Sequence, residues 1–194
     1  MRVLILVLLA LVTASAGCGP RTAATADGVP PAPPVAALDS LRTQVARAAA
    51  LAGGRVGVAI SLLGSEEVVT LGDGVRYPMQ SVFKLPLAMA VLDAVDRGGL
   101  RLDQAVRVVP ADFVSDGQHS PIRDRNPGGI TLTVGDLLRA AASGSDGTAA
   151  DVLLGLVGGP PAVTAYVRGL GVERLSVAVT EKEMGRDPQA QYRN

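Results

Sequence analysis

The sequence predicts an α/β protein in which an antiparallel sheet is flanked by helices. Three observations carry this. The alternating run "RVGVAISLL" is followed, after a turn at Gly64, by a second strand-like run, "EVVTL", which together read as a β-hairpin. Helical spacing brackets that pair, at Leu38, Leu41 and Val45 before it and through residues 81 to 95 after it. Further apolar segments downstream are each opened by a capping residue or proline, or closed by glycines. A length of 194 residues, 48% of them hydrophobic, allows one domain with a substantial core.

Taken in order, the chain does not begin with the fold. Arg2, the apolar run "VLILVLLALV" and the small residues "TASAG" describe a secretory signal over residues 1–17. That run is too short to span a bilayer as a mature helix. Cys18 follows where the small residues end, as in a lipoprotein signal, although Ser15 stands where leucine is usual. As the sole cysteine it forms no internal disulfide. The expectation is an exported protein, periplasmic or at the cell surface, anchored to a membrane by lipid on Cys18. Residues 18–36 are rich in Pro, Ala and Gly and read as a tether.

The domain is expected over residues 37–194. A first helix stops at Gly53-Gly54, and the hairpin places Val56, Val58, Ile60 and Leu62 on one face. The apolar helix at 81–95 closes at Gly98-Gly99. Thr133 and Asp136 are spaced as a capping box ahead of Leu137, Leu138 and Ala141. "TAADVLLGLV" runs to Gly158-Gly159, and Pro160-Pro161 opens "AVTAYVRGLG". "LSVAV" at 175–179 is a short strand or an extended lead into a loop. A lone hairpin leaves unpaired edges. No convincing partner strands follow, so the chain is expected to be part of a longer one.

Acidic and basic residues balance at 18 each, giving no electrostatic reason to expect nucleic acid as a partner. Of the basic residues, sixteen are Arg; only Lys84 and Lys182 are Lys. Lys84 lies in the apolar run "SVFKLPLAMAVLD". Ser81, three residues earlier, shares its helix face, near the N-terminal end where free N–H groups favour developing negative charge. Burial works against a charged lysine, which can then accept a proton, as an arginine cannot. An activated serine needs such a base. Alone, the pair reads equally as a helix-capping serine and a lysine whose stem snorkels to water.

Two further segments bear on that choice. In "SGSDGTAADVLL", Asp146 or Ser145 is either a simple N-cap or part of a site in which a second hydroxyl relays a proton. "TEKEMGRDPQAQYRN" places Glu181 and Glu183 in a loop, as surface charges or as a base for water.

The order S-x-x-K, S-D-x and loop Glu resembles the class A serine β-lactamases. The resemblance covers residues 38 to 194, and "SPIRDRNPGG" and "EMGRDPQAQYRN" are similar to their extended-spectrum subgroup. It implies the β-lactamase/D,D-peptidase-like fold, a helical domain plus an antiparallel sheet flanked by helices, here without its C-terminal strands. It implies Ser81 as nucleophile, Lys84 as base alone or with Glu181 through water, Ser145 as proton relay and Glu181 as the base of deacylation. Glu181 matches because it lies three before Met184; Glu183 is assigned to structure. His119, Asp146 and Gly147 are implied at the substrate side. The partners implied are β-lactams, met by a monomer, and no metal or cofactor is called for.

Four departures accompany the match. Gly147 stands where Asn is usual and Gly185 where an Asn often helps to hold water. His119, rather than an aromatic, precedes Ser120-Pro121 as a wall of the site. The K-T-G or K-S-G strand is not in the sequence, so these residues alone are expected to be unstable and inactive. The competing readings are a penicillin-binding D,D-peptidase or β-lactam sensor acylated without turnover, a non-catalytic truncated lipoprotein, and a glutaminase of related fold. A missing deacylating base marks the first, and absence of acylation at Ser81 the second.

Overall fold

The structure, a computed structural model, describes residues 35–61 and 66–194. The signal, Cys18, most of the tether, Leu62 and the turn at Gly64 lie outside the described residues. No single helix among those described is long and apolar enough to cross a membrane. The chain forms two compact units, divided between Arg76 and Tyr77.

The first unit holds helix α1 (Val35–Ala50) and the antiparallel strands β1 (Val58–Ser61) and β2 (Val68–Leu71). Leu38 is buried, and Leu41, Val45 and Ala49 continue the same stripe, half-buried. That stripe is what the three-and-four spacing predicts. Val58 pairs with Leu71 and Ser61 with Val68, so the expected hairpin forms. Its burial differs from the expectation: Val69 of β2 is the buried residue, whereas Ile60 is 38% exposed.

The second unit is built around helix α2 (Lys84–Asp96), which follows a 3-10 turn at Gln80–Phe83. The apolar spacing predicts one helix over 81–95; in the structure a tighter turn precedes the helix and carries Ser81. Pro86 is accommodated because first-turn N–H groups have no partner within the helix. Phe83, Leu87 and Val91 recur at four and are fully buried. They belong to one core with Leu137 of α4 (Val134–Ala142), Leu153 and Leu154 of α5 (Gly147–Leu156) and Val163 of α6 (Pro160–Gly169). Each such side chain contributes about 2 kcal/mol by leaving water.

Strands β3 (Ala105–Val108) and β4 (Ile130–Thr133) were not foreseen; they pair antiparallel, Ala105 opposite Thr133 and Val108 opposite Ile130. Gly129 permits the entry to β4: its φ is +87°, and a Cβ there would lie 2.6 Å from the Val108 carbonyl. The expected capping box opens α4, with Asp136 N 3.0 Å from Thr133 Oγ1 and Thr133 N 3.2 Å from Asp136 Oδ2. Residues 175–179 form neither helix nor strand. The buried hydroxyl of Thr164 serves Val177 instead, accepting from its N–H at 2.9 Å and donating to its carbonyl at 2.8 Å. Helix α3 (Pro121–Arg125) and helix α7 (Glu181–Arg186) complete the unit.

Candidate active site

Four segments of the second unit meet at one cavity of about 320 Å³, lined among others by Gln80, Ser81, Lys84, Gln118, His119, Ser145 and Glu181. The 3-10 turn and α2 bring Ser81 and Lys84 together: Lys84 Nζ is 3.2 Å from Ser81 Oγ. Phe83 and Leu87 anchor this segment in the core, which leaves Lys84 only 4% exposed while Ser81 faces the cavity. Gln80, just before the serine, holds a left-handed φ of 49° that costs a non-glycine residue energy. Its amide donates to Gln191 Oε1, which ties down the strained turn.

Ser145 arrives from the turn between α4 and α5, also left-handed at φ 53°. That geometry turns its carbonyl and its hydroxyl to the same lysine. Lys84 Nζ donates to Ser145 O at 2.8 Å and to Ser145 Oγ at 3.2 Å. Ser145 Oγ donates to Ser81 Oγ at 2.8 Å. The lysine also pairs with Glu181 Oε1 at 2.8 Å, and both side chains are largely buried. One ammonium has three N–H donors. Four oxygens within 3.2 Å therefore compete for them, an arrangement suited to passing protons.

Glu181 lies at the first turn of α7, not in a loop as expected. "EKEMGR" is too short to reveal a helical period, although Thr180 and Glu183 are spaced as a capping box, as Thr133 and Asp136 are. Thr180 caps it, accepting from Glu183 N at 3.2 Å, while Glu183 Oε2 receives Thr180 N at 2.8 Å. Glu183 is thus structural. Asp151 of α5 accepts from Glu181 N at 2.7 Å and Lys182 N at 2.9 Å. Burial pushes the Asp151 carboxyl up to about 6, against the two backbone donors, with the Glu181 charge adding to the rise.

Asp146 and Gly147, expected at the substrate side, do not line the cavity. Asp146 is 1% exposed and N-caps α5. Its oxygens are taken by Ala149 N at 2.9 Å, Ser120 Oγ at 3.0 Å and Ile122 N at 2.7 Å. It fixes the turn that presents Ser145. Gly147 is buried, its N–H donates to His119 O at 2.9 Å, and a Cβ would sit 3.3 Å from Val114 Cγ1. His119 does line the cavity, exposed, with Nε2 3.0 Å from Gly144 O.

A model of the β-lactamase enzyme family matches residues 40–192. The chain belongs to that family.

Among curated β-lactamases, VEB-1 of Pseudomonas aeruginosa is 32% identical over 156 residues, 80% of this chain and 52% of the relative. The extended-spectrum β-lactamase PER-1, also of Pseudomonas aeruginosa, is 39% identical over 140 residues, 72% of this chain and 45% of the relative. A β-lactamase crystal structure from Chitinophaga pinensis superposes with a TM-score of 0.75 at 40% identity, covering 80% of this chain and 57% of that one. The chain thus spans about half the length of the β-lactamases it matches. Its fold is that of the class A enzymes, helices with small antiparallel sheets.

Three residues of this candidate site are not marked by any motif in the sequence. Gln118 donates from its amide to Glu181, and Asp151 holds the backbone beneath the same residue. Arg123 binds the loop carrying Gln118, through Val114 O at 3.1 Å and Gln118 O at 3.1 Å. All three belong to segments with no spacing relation to Glu181, so no local pattern could connect them.

Proposed function

We propose that the protein hydrolyses the β-lactam ring through an acyl-enzyme on Ser81. The observation that carries this reading is the convergence of Ser81, Lys84, Ser145 and Glu181 in one cavity, each within 3.2 Å of a neighbour in the set. A proton passed from Lys84 to Glu181 leaves a neutral amine beside Ser81 Oγ. The amine takes the serine proton as Oγ attacks the lactam carbonyl. Ser145 donates a proton to the ring nitrogen as the C–N bond breaks, and regains one from Lys84. The Ser81 N–H, in the first turn, serves as one donor to the oxyanion. Glu181 then returns its proton to Lys84 across their 2.8 Å contact; water attacks the ester, Glu181 accepts the water proton, and Ser81 Oγ leaves and takes a proton from Lys84, which regains one from Glu181.

The substrates are β-lactams, and the chemistry of these residues needs no cofactor. We further propose export with a lipid on Cys18, resting on the signal-like run ahead of it. The 194 residues by themselves are proposed to be inactive, because the opposite wall of the site would have to supply the second oxyanion donor and a cation for the substrate carboxylate.

The test is intact-mass spectrometry of the full gene product with benzylpenicillin, beside nitrocefin hydrolysis. A transient adduct on Ser81 with turnover is expected. A permanent adduct without turnover favours the penicillin-binding or sensor reading, and no adduct on a folded protein defeats acylation altogether.

A further inference from the structure

Gly185 and Gln118 share one space. A Cβ built on Gly185 would lie 2.8 Å from Gln118 Cδ and 2.8 Å from Ser115 Oγ, and closer still to Gln118 Oε1. Side chains do not pack that closely, so the Gln118 amide can sit there only because residue 185 is glycine. The amide's orientation is fixed by its partners. Ser115 N and Ser115 Oγ reach Gln118 Oε1 at 3.2 and 2.9 Å, and the backbone N–H can only donate. Gln118 Nε2 therefore faces the α7 side, donating to Glu181 O at 2.5 Å and to Glu181 Oε2 at 3.3 Å. The other carboxylate oxygen, Oε1, is held by Lys84 at 2.8 Å. Arg123 braces the loop beneath, on Val114 O and Gln118 O at 3.1 Å each.

We propose that Gln118 is a positioning residue for deacylation, holding the Glu181 carboxylate from the face that glycine at 185 leaves open. The inference rests on the acyl-enzyme reading above. Glu181 must be aimed when water attacks the Ser81 ester. The water proton goes to Glu181, the bond from the acyl carbon to Ser81 Oγ breaks, and Oγ recovers a proton. With Lys84 on one oxygen and the Gln118 amide on the other, the carboxylate has one orientation to present. In acylation Glu181 only takes a proton from Lys84, through the Oε1 contact of 2.8 Å that Gln118 does not make, so deacylation is the half-reaction that depends on the amide.

The experiment measures acylation and deacylation rates with benzylpenicillin in the full gene product, by rapid quench and intact mass. Gln118→Ala is expected to slow deacylation about tenfold or more while acylation stays within about threefold. Gly185→Ala, which drives the amide out of its space, should do the same. Gly185→Asn should restore deacylation when combined with Gln118→Ala, since a carboxamide then reaches the space from the other side. Alone it should be damaging, because both side chains compete there. Unchanged deacylation in Gln118→Ala and Gly185→Ala overturns the proposal, as does a failed rescue. A wild-type adduct that forms and never resolves overturns the positioning role and leaves acylation standing. No wild-type adduct means that the underlying reading itself has failed.

Discussion

Lys84 is one of two lysines among eighteen basic residues, and its surroundings explain the choice. A structural cation in this place could be an arginine, whose guanidinium keeps its proton. Lys84 instead meets two hydroxyls, a carbonyl and a carboxylate, three of which are groups able to give or take a proton. Lys84→Arg is therefore expected to keep the charge and lower the acylation rate by about a thousandfold. Quenched-flow labelling of Ser81 in the full gene product measures it, and a normal rate would sink the role given to this residue. Ser145 gives a second case. Its φ of 53° strains serine but suits glycine, and its hydroxyl faces Ser81 and Lys84 in the cavity rather than the core. Ser145→Gly should leave the melting temperature equal or raised while acylation falls about a hundredfold. A loss of stability with activity retained would contradict both halves. Ser81, Lys84, Ser145 and Glu181 were legible because each sits in a short local pattern. Gln118 was not, because what makes it matter is an empty volume at Gly185, remote in sequence, and a glycine's missing side chain leaves no trace of what fills it.

Elements divide the same way. The helices with long apolar stripes, α1, α2 and α4 to α6, could be read from spacing, and the Thr133–Asp136 cap gave the start of α4 before any coordinates. β3, β4 and α7 could not. "AVRV" and "ITLT" pair across a long intervening segment that holds helix α3, with no short turn to mark them as a hairpin, and α7 has six residues, fewer than two helical turns. α7 is held at its start by the Thr180–Glu183 cap and, from another element, by Asp151 beneath its first two N–H groups. This makes its anchoring dependent on pH. The folded state raises the Asp151 carboxyl from 3.8 to about 6, so it binds this proton more tightly than the unfolded chain does. The stability that follows is fully present below pH 3.8 and is lost as pH rises through about 6. The difference is on the order of 3 kcal/mol. Asp151→Asn cannot ionise, and its amide opposes one of the two N–H donors. Its disadvantage relative to wild type should thus be largest near pH 4 and shrink by pH 7. Urea unfolding of both proteins at the two pH values checks this; a difference independent of pH would remove Asp151 as the titrating group.

At the scale of the molecule, α2 has two faces of equal consequence. One supplies Phe83, Leu87 and Val91 to the core. The other, with its preceding turn, carries Val82, Leu85, Met89 and Leu92 at 50%, 65%, 39% and 45% exposure. Their spacing of three, four and three residues makes a single stripe along the helix. Such a stripe in water invites association, and each described sheet has only two strands. The 194-residue chain purified alone is therefore expected to bind a dye of exposed apolar surface strongly, to self-associate with rising concentration, and to leave nitrocefin unhydrolysed. Leu85→Glu with Leu92→Glu should reduce both dye binding and association, because neither side chain contributes to the core on the opposite face. Helicity by circular dichroism should hold, since glutamate is nearly as good a helix former as leucine. Applied to a longer gene product, the same pair separates two situations. If further chain covers the stripe, the buried charges should cost several kcal/mol and abolish folding or turnover. If the stripe stays open to water, the pair should be nearly silent there too. An unmutated 194-residue chain that is monomeric, binds no dye and turns over nitrocefin would refute this account of α2, and would require that half the length of the related β-lactamases can close the site on its own.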